Sequence, residues 1–238
     1  MKKYIVLFIS LVMGSHLSAQ STKTFSIDLL LGKKEIAPSG EDYTLLSEAA
    51  EAFRKMKSAA KKDSIDLKIV SSFRSYAAQK KIWNRKYQSF TREGLTGPEA
   101  IAKIIKYSTL PGTSRHHWGT DIDIIEGSKK IEGDVLLEDR FHQGSFQKLH
   151  RWLLQNAHYY GYELVYTNDS LRKGFLYEPW HYSYVPLSKK FLKTYREKEL
   201  IHSIPQDSTL LGKEFISAKF ILEYYRENVL GINPLLKQ

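Results

Sequence analysis

Two short clusters of side chains in this 238-residue chain have the composition of a metal site that activates water. The first cluster contains His116 and Asp123, and the second contains Glu178 and His181. Two imidazoles and one carboxylate are enough protein ligands for a catalytic zinc ion, which keeps a fourth position open. The remaining carboxylate is then free to act on a zinc-bound water. The residue types therefore predict a catalytic zinc site.

The first cluster lies on a predicted strand over residues 121–125. Side chains alternate along a strand, so Asp121 and Asp123 share one face and Ile122 and Ile124 share the other. If the isoleucines enter the core, both carboxylates point into a cleft, where like charges need a cation nearby. The alternative is a pair of exposed aspartates on an edge strand.

The second cluster includes a proline that interrupts regular structure. Pro179 cannot donate a hydrogen bond to a sheet, so we place Glu178 in a loop and begin a strand near Trp180. On a regular strand, residues three apart would point to opposite faces, whereas this bend lets Glu178 and His181 converge. The alternative is an aromatic-rich core strand with an incidental histidine.

A third candidate is Arg74, which follows a predicted strand over residues 65–69. A side chain in that position can reach a cleft, and a planar guanidinium binds a carboxylate or a developing oxyanion better than lysine does. Gln79, one helical turn later, could orient this arginine. The alternative is an ordinary surface arginine.

The candidate residues fall into three motifs that resemble the VanY-type zinc D-alanyl-D-alanine carboxypeptidases. This peptidase family also contains the VanX-type dipeptidases. In chain order the motifs are Ser-Phe-Arg-Ser with Gln79, Ser-x-His-x-x-Gly-x-Asp-x-Asp from Ser114, and Glu-x-Trp-His from Glu178. The resemblance covers residues 40–187.

The resemblance implies roles for the charged and imidazole side chains of the last two motifs. His116, Asp123 and His181 match the zinc ligands of the family. Glu178 matches its catalytic base. Because these four residues keep the order of the family's motifs, we expect them to form one site.

The candidate substrate-binding residues are Arg74, Ser114 and Gln79. Arg74 matches an arginine that binds the transition state or a carboxylate, and Ser114 matches a substrate-contacting serine. Asp121 departs from the pattern, because the family usually has a small residue there, often alanine. The extra carboxylate could orient a ligand histidine, bind a substrate amine or change the metal preference, and the sequence leaves all three open.

The activity implied by the resemblance is hydrolysis of the terminal D-Ala-D-Ala amide of peptidoglycan stem peptides. A zinc-bound water would attack, with Glu178 as general base. Cleavage of an L,D bond or of an internal cross-link is an alternative within the family. A wall-binding module that keeps zinc without turnover is an alternative of another class, with His117 as the nearest candidate for a fourth ligand.

Residues 1–20 have the pattern of a secretory signal peptide. Lys2 and Lys3 precede an apolar run over residues 4–13, and small residues follow near Ala19. A membrane span needs about 20 apolar residues, so the run is short for one, and a retained anchor is the alternative. We therefore expect export to the periplasm or the cell surface. The chain has no cysteine, so no disulfide stabilises it there.

The net charge of +10 suits an anionic partner such as a carboxylate-rich cell-wall polymer. Nucleic acid is the other common polyanion, but no nucleic-acid motif is recognisable and the basic residues are scattered over predicted helices. The charge is therefore consistent with the peptidoglycan stem peptide that the resemblance implies as substrate, and we expect no nucleic-acid partner. We also expect no stable membrane span once the leader is removed.

The predicted fold class is α+β, with helices around a small, mostly antiparallel sheet. Side-chain periodicity predicts helices over residues 42–62, 77–92, 145–160, 188–199 and 214–229, and another opening at Thr96. The predicted organisation is a lead-in segment over residues 21–40, a zinc carboxypeptidase domain over residues 41–187 and a C-terminal helical extension over residues 188–238.

Overall fold

The computed structural model describes residues 25–237. The predicted signal peptide lies outside the described residues. Within the described range, no helix is both long enough and apolar enough to cross a membrane.

The described residues form helices around one four-stranded sheet. The helices are α1 (Ile27–Leu30), α2 (Ser47–Lys62), α3 (Tyr76–Arg92), α4 (Gly97–Ile104), α5 (Glu138–His142), α6 (Gln147–Asn156), α7 (Val185–Glu197) and α8 (Ala218–Tyr224). The strands are β1 (Leu67–Ser71), β2 (Asp121–Glu126), β3 (Tyr162–Leu164) and β4 (His181–Tyr184). Short 3-10 turns include Arg115–Trp118, and a π-helix over Tyr225–Val229 continues α8.

The sheet has the strand order β1-β2-β4-β3, and each neighbouring pair is antiparallel. The predicted α+β class is therefore confirmed. Ile122 and Ile124 are fully buried in a cluster that includes Phe53 of α2 and Leu149 of α6. The apolar side chains of β2 thus enter the core, as the alternation predicts.

Helix α2 begins at Ser47 rather than at residue 42. The preceding segment is extended because the Thr44 amide donates to Ser72 Oγ at 3.0 Å, and the Thr44 carbonyl accepts from the Phe73 amide at 3.0 Å. These two bonds attach the chain before α2 to the loop that carries Arg74.

A second apolar cluster joins the start and the end of the described chain to α3. It contains Leu30, Trp83 and Phe191, and the indole N–H of Trp83 donates to the Leu211 carbonyl at 3.0 Å. Helix α7 begins at Val185, so the predicted boundary after residue 187 lies inside a helix. The division into lead-in, domain and extension remains a prediction.

Replacing Trp83 by alanine should lower the free energy of unfolding by about 3–5 kcal/mol, because a fully buried indole leaves a cavity. Tyr159, which is 75% exposed, provides an aromatic control. Tyr159→Ala should change the free energy of unfolding by no more than about 0.5 kcal/mol. Urea denaturation followed by circular dichroism measures both, and equal losses in the two variants would contradict the structural role of this cluster.

Candidate metal centre and catalytic cleft

The register between β2 and β4 places Asp123 directly opposite His181. His116 lies in the 3-10 turn that leads into β2, and its Nε2 is 3.5 Å from Asp123 Oδ2. The ring centroids of His116 and His181 are 4.7 Å apart. One ligand atom from each of the three residues lies within 4.8 Å of the other two. The structure therefore brings the three predicted metal ligands together.

The ring of His116 is oriented by the loop that follows β1. Its Nδ1 lies 2.8 Å from the carbonyl oxygen of Ser72. A carbonyl only accepts hydrogen bonds, so Nδ1 carries the proton and donates. Nε2 is then the ring nitrogen of His116 that faces Asp123.

His181 has the opposite arrangement of ring nitrogens. Its Nε2 lies 3.0 Å from Asp121 Oδ2, while its Nδ1 lies 2.9 Å from Glu178 Oε2 and 3.9 Å from Asp123 Oδ1. Although burial by itself would lower the pKa of His181, hydrogen bonds to Asp121 and Glu178 raise it to about 10. Nδ1 is the nitrogen that faces the other two candidate ligands.

Asp123 carries a feature that fits a bound cation. Its Oδ1 is buried and has no hydrogen-bond partner among residues 25–237. Burial by itself would raise the pKa of Asp123, but His116 beside it lowers the pKa to about 2, so the group is ionised at neutral pH. A buried carboxylate oxygen without a donor is costly unless a cation satisfies it. The donor set of two imidazoles and one carboxylate fits zinc.

Glu178 lies in the turn before β4. The backbone bends here at Pro179, as the sequence predicts. The His181 amide donates to the Glu178 carbonyl at 3.1 Å, and this turn brings the two side chains to the same side. Burial raises the pKa of Glu178 above its ordinary value, against the opposing effect of His181. A carboxylate with a raised pKa next to a metal site is suited to accept and return a proton.

Arg74 lies in the cleft wall, and its amide donates to the His116 carbonyl at 3.1 Å. Its guanidinium donates to Gln79 Oε1 at 2.9 Å and to Ser71 Oγ at 2.7 Å. Gln79 is fully buried, and its amide nitrogen donates to the Thr109 carbonyl at 2.8 Å. Gln79 therefore lies behind Arg74 and fixes the guanidinium, rather than lying at the cleft surface.

The cleft beside these residues has a volume of about 450 Å³. Ser114 lies in its wall, close to the metal-ligand group. Other lining residues carry charges of both signs, among them Arg85, Lys86, Asp134 and Glu138. The cleft therefore presents both positive and negative side chains beside the candidate metal ligands.

His117 does not face the candidate metal position. Its Nδ1 donates to the Arg74 carbonyl at 2.6 Å, and its Nε2 accepts from the Gly112 amide at 3.0 Å. Burial lowers the pKa of His117 to about 3, which keeps the ring neutral. Both ring nitrogens are occupied, so His117 does not supply the fourth ligand of a closed zinc site.

Arg115 is a residue of the site that the sequence reasoning missed. Its Nε donates to Asp121 Oδ2 at 2.8 Å, and both side chains are buried. A signal was available, because an aspartate on a buried strand needs a nearby cation and this arginine is six residues away.

Comparison with known proteins identifies the family to which this chain belongs. A family model described as VanY, D-alanyl-D-alanine carboxypeptidase, matches residues 42–187. The chain belongs to this family. The resemblance inferred from the three motifs is thereby confirmed.

The relatives differ in how much of their length this VanY-family chain covers. It is 31% identical over 154 residues to VanXYC of Enterococcus gallinarum, a bifunctional D-Ala-D-Ala dipeptidase and D-Ala-D-Ala carboxypeptidase, covering 64% of this chain and 73% of VanXYC. It is 33% identical over 155 residues to YodJ of Bacillus subtilis (strain 168), covering 64% of this chain and 50% of YodJ. The chain thus spans only half the length of YodJ.

The fold is shared with a solved VanY D,D-pentapeptidase from a VanB-type resistance cassette, determined in complex with Zn(II). The match has a TM-score of 0.52 and 22% sequence identity, and it covers 70% of this chain and 89% of that chain. At this level of identity the match shows that the two chains share a fold.

Zinc content tests the ligand assignment. His181→Ala should lose bound zinc after dialysis, because it removes one of three ligands. His202→Ala, the matched control at an exposed histidine outside the cleft, should retain as much zinc as the unaltered chain. Metal analysis of both folded proteins measures this. Full zinc occupancy in His181→Ala would rule out the assignment.

Proposed function

We propose that this protein is a zinc-dependent D,D-carboxypeptidase that hydrolyses the terminal D-Ala-D-Ala amide of peptidoglycan stem peptides. The observation that carries the proposal is the convergence of His116, Asp123 and His181 in a cleft that also contains Glu178. Membership of the D-alanyl-D-alanine carboxypeptidase family supports the substrate, as does the similarity to VanXYC.

His116 Nε2, His181 Nδ1 and a carboxylate oxygen of Asp123 would hold the zinc ion. When bound, zinc supplies Lewis acidity that polarises the scissile carbonyl and lowers the pKa of a water molecule. Asp123 contributes the one negative charge of the ligand set, which partly offsets the charge of the ion. The fold shared with the Zn(II)-containing VanY structure agrees with this choice of metal.

Glu178 is the residue that we assign to proton transfer. Its carboxylate takes a proton from the attacking water as the new bond to the carbonyl carbon forms. It then gives this proton to the amide nitrogen as the carbon–nitrogen bond breaks, so that free D-alanine leaves as an amine. Burial raises the pKa of Glu178, which favours the return of the proton to the leaving group.

Arg74 is assigned to charge stabilisation. Gln79 and Ser71 fix its guanidinium before the substrate arrives, so little reorganisation is needed as negative charge develops on the carbonyl oxygen. Ser114 lies in the same wall and is assigned to the terminal carboxylate of the peptide. In this proposal Gln79 acts only through Arg74.

The proposed substrate requires the protein to act outside the cytoplasmic membrane. The pattern of residues 1–20 supports export to the periplasm or the cell surface. The positive net charge favours association with anionic wall polymers.

Peptide specificity separates the proposed activity from its alternatives. Synthetic stem peptides that differ only in the stereochemistry and length of the terminus should be incubated with the protein, with and without a chelator. We expect mass spectrometry to show chelator-sensitive loss of one D-alanine from D-Ala-D-Ala termini. Cleavage only of an L,D bond or of a cross-link would identify the family alternatives, and no cleavage of any peptide by zinc-loaded protein would favour the binding module.

Glu178→Gln should lower kcat by about 10²–10⁴-fold while zinc remains bound, because the amide cannot accept the proton. Glu163→Gln is a matched control, since Glu163 lies on the adjacent strand β3, outside the cleft, and burial also raises its pKa. This control should retain normal activity. Activity of Glu178→Gln within tenfold of the unaltered chain, about 1.4 kcal/mol, would contradict its role.

A further inference from the structure

We propose that Asp121 is a positioning residue that fixes the metal-binding tautomer of His181 and thereby strengthens zinc binding. This inference rests on the metal centre of the proposed function. It concerns the position at which this chain departs from the motif that it resembles.

Asp121 is fully buried, and each of its oxygens receives two hydrogen bonds. Oδ1 accepts from Thr120 Oγ1 at 2.8 Å and from Ser183 Oγ at 2.7 Å. Oδ2 accepts from Arg115 Nε at 2.8 Å and lies 3.0 Å from His181 Nε2. The carboxylate is therefore enclosed on every side by polar partners.

This enclosure excludes a substrate amine as the partner of Asp121 and leaves Asp121 no direct contact with the metal. A substrate amine cannot reach a side chain with no exposed surface. Direct coordination of the metal is also excluded, because Asp121 contacts His181 through Nε2, whereas Asp123 faces Nδ1. Any effect of Asp121 on the metal preference must therefore act through His181. Orientation of the ligand histidine is the role that remains.

The direction of each hydrogen bond around Asp121 follows from its neighbours. Arg115 has only donors, and its Nη2 donates to Ser183 Oγ at 2.6 Å, which leaves the Ser183 hydroxyl hydrogen for Asp121. A carboxylate paired with this arginine has only acceptor sites to offer His181. Once Nδ1, which faces Asp123 and Glu178, binds the metal, the remaining ring proton of His181 is on Nε2 and is donated to Asp121.

The two candidate histidine ligands thus have different partners behind them. His116 is oriented by a neutral carbonyl, that of Ser72, whereas His181 is oriented by a carboxylate. A carboxylate behind a ligand imidazole increases its basicity and fixes its ring orientation. Arg115 in turn fixes the carboxylate, so His181 is prepared for the metal before it binds.

The test compares Asp121→Asn with Glu126→Gln, which alters another buried carboxylate on β2, one that accepts hydrogen bonds from Asp66 and Ser128. Competition with a chromophoric chelator measures the zinc dissociation constant. We expect Asp121→Asn to raise this constant about 10–100-fold and Glu126→Gln to leave it unchanged. Nuclear magnetic resonance of the zinc-loaded protein should show a low-field Nε2–H signal of His181 that is displaced by Asp121→Asn and retained in Glu126→Gln.

Asp121→Asn leaves the buried Arg115 without its ionic partner, which could impair folding. The double variant Asp121→Asn/Arg115→Gln removes that cation and should show the same loss of zinc affinity. The inference would be overturned if either folded variant bound zinc with the same dissociation constant as the unaltered chain. It would also be overturned if the Nε2–H signal of His181 kept its position. If His181→Ala also lost zinc, the metal centre would stand. Normal zinc binding by His181→Ala would instead overturn the metal centre and this inference together.

Discussion

The antiparallel register between β2 and β4 is the constraint on which the whole site depends. It sets Asp123 opposite His181 and Asp121 opposite Ser183, on one face of the sheet. The opposite face of β2 carries Ile122, which is fully buried. Because side chains alternate, a slip of one residue would turn the carboxylates toward the core and Ile122 toward the cleft. Burial of apolar side chains on one face of β2 therefore keeps Asp121 and Asp123 on the face that forms the site.

The turn before β2 orients two adjacent histidine side chains in different directions. His116 directs a ring nitrogen toward Asp123, while His117 uses both ring nitrogens to connect the Arg74 loop to Gly112. Consecutive residues of a 3-10 turn point in different directions, so one ring reaches the cleft and the other stabilises the loops around it. The same turn thus orders the candidate metal ligand and the arginine loop together.

The C-terminal segment contacts the loop that precedes the candidate ligand His116. The hydroxyl of Tyr224 accepts from the Leu110 amide at 3.0 Å and lies 2.9 Å from Thr113 Oγ1. Tyr195 donates to the Gly112 carbonyl at 3.0 Å. These buried hydrogen bonds place the C-terminal helices behind the cleft wall that contains Ser114, which gives them a structural connection to the site.

The sequence by itself determined the donor set and the local geometry. The strand alternation that pairs Asp121 with Asp123, and the proline that bends the chain between Glu178 and His181, act over a few residues and follow from local backbone rules. The α+β class follows from the same periodicities.

Only the tertiary structure decided which atom of each side chain faces which partner. Asp121 and His181 are 60 positions apart, and their contact depends on the pairing of two strands that local patterns do not specify. Arg115 pairs with Asp121, and Gln79 lies behind Arg74. Both contacts depend on which polar groups the fold buries together. A buried polar atom must find its partner within the packed interior, so its role is settled by the fold and not by its spacing along the chain.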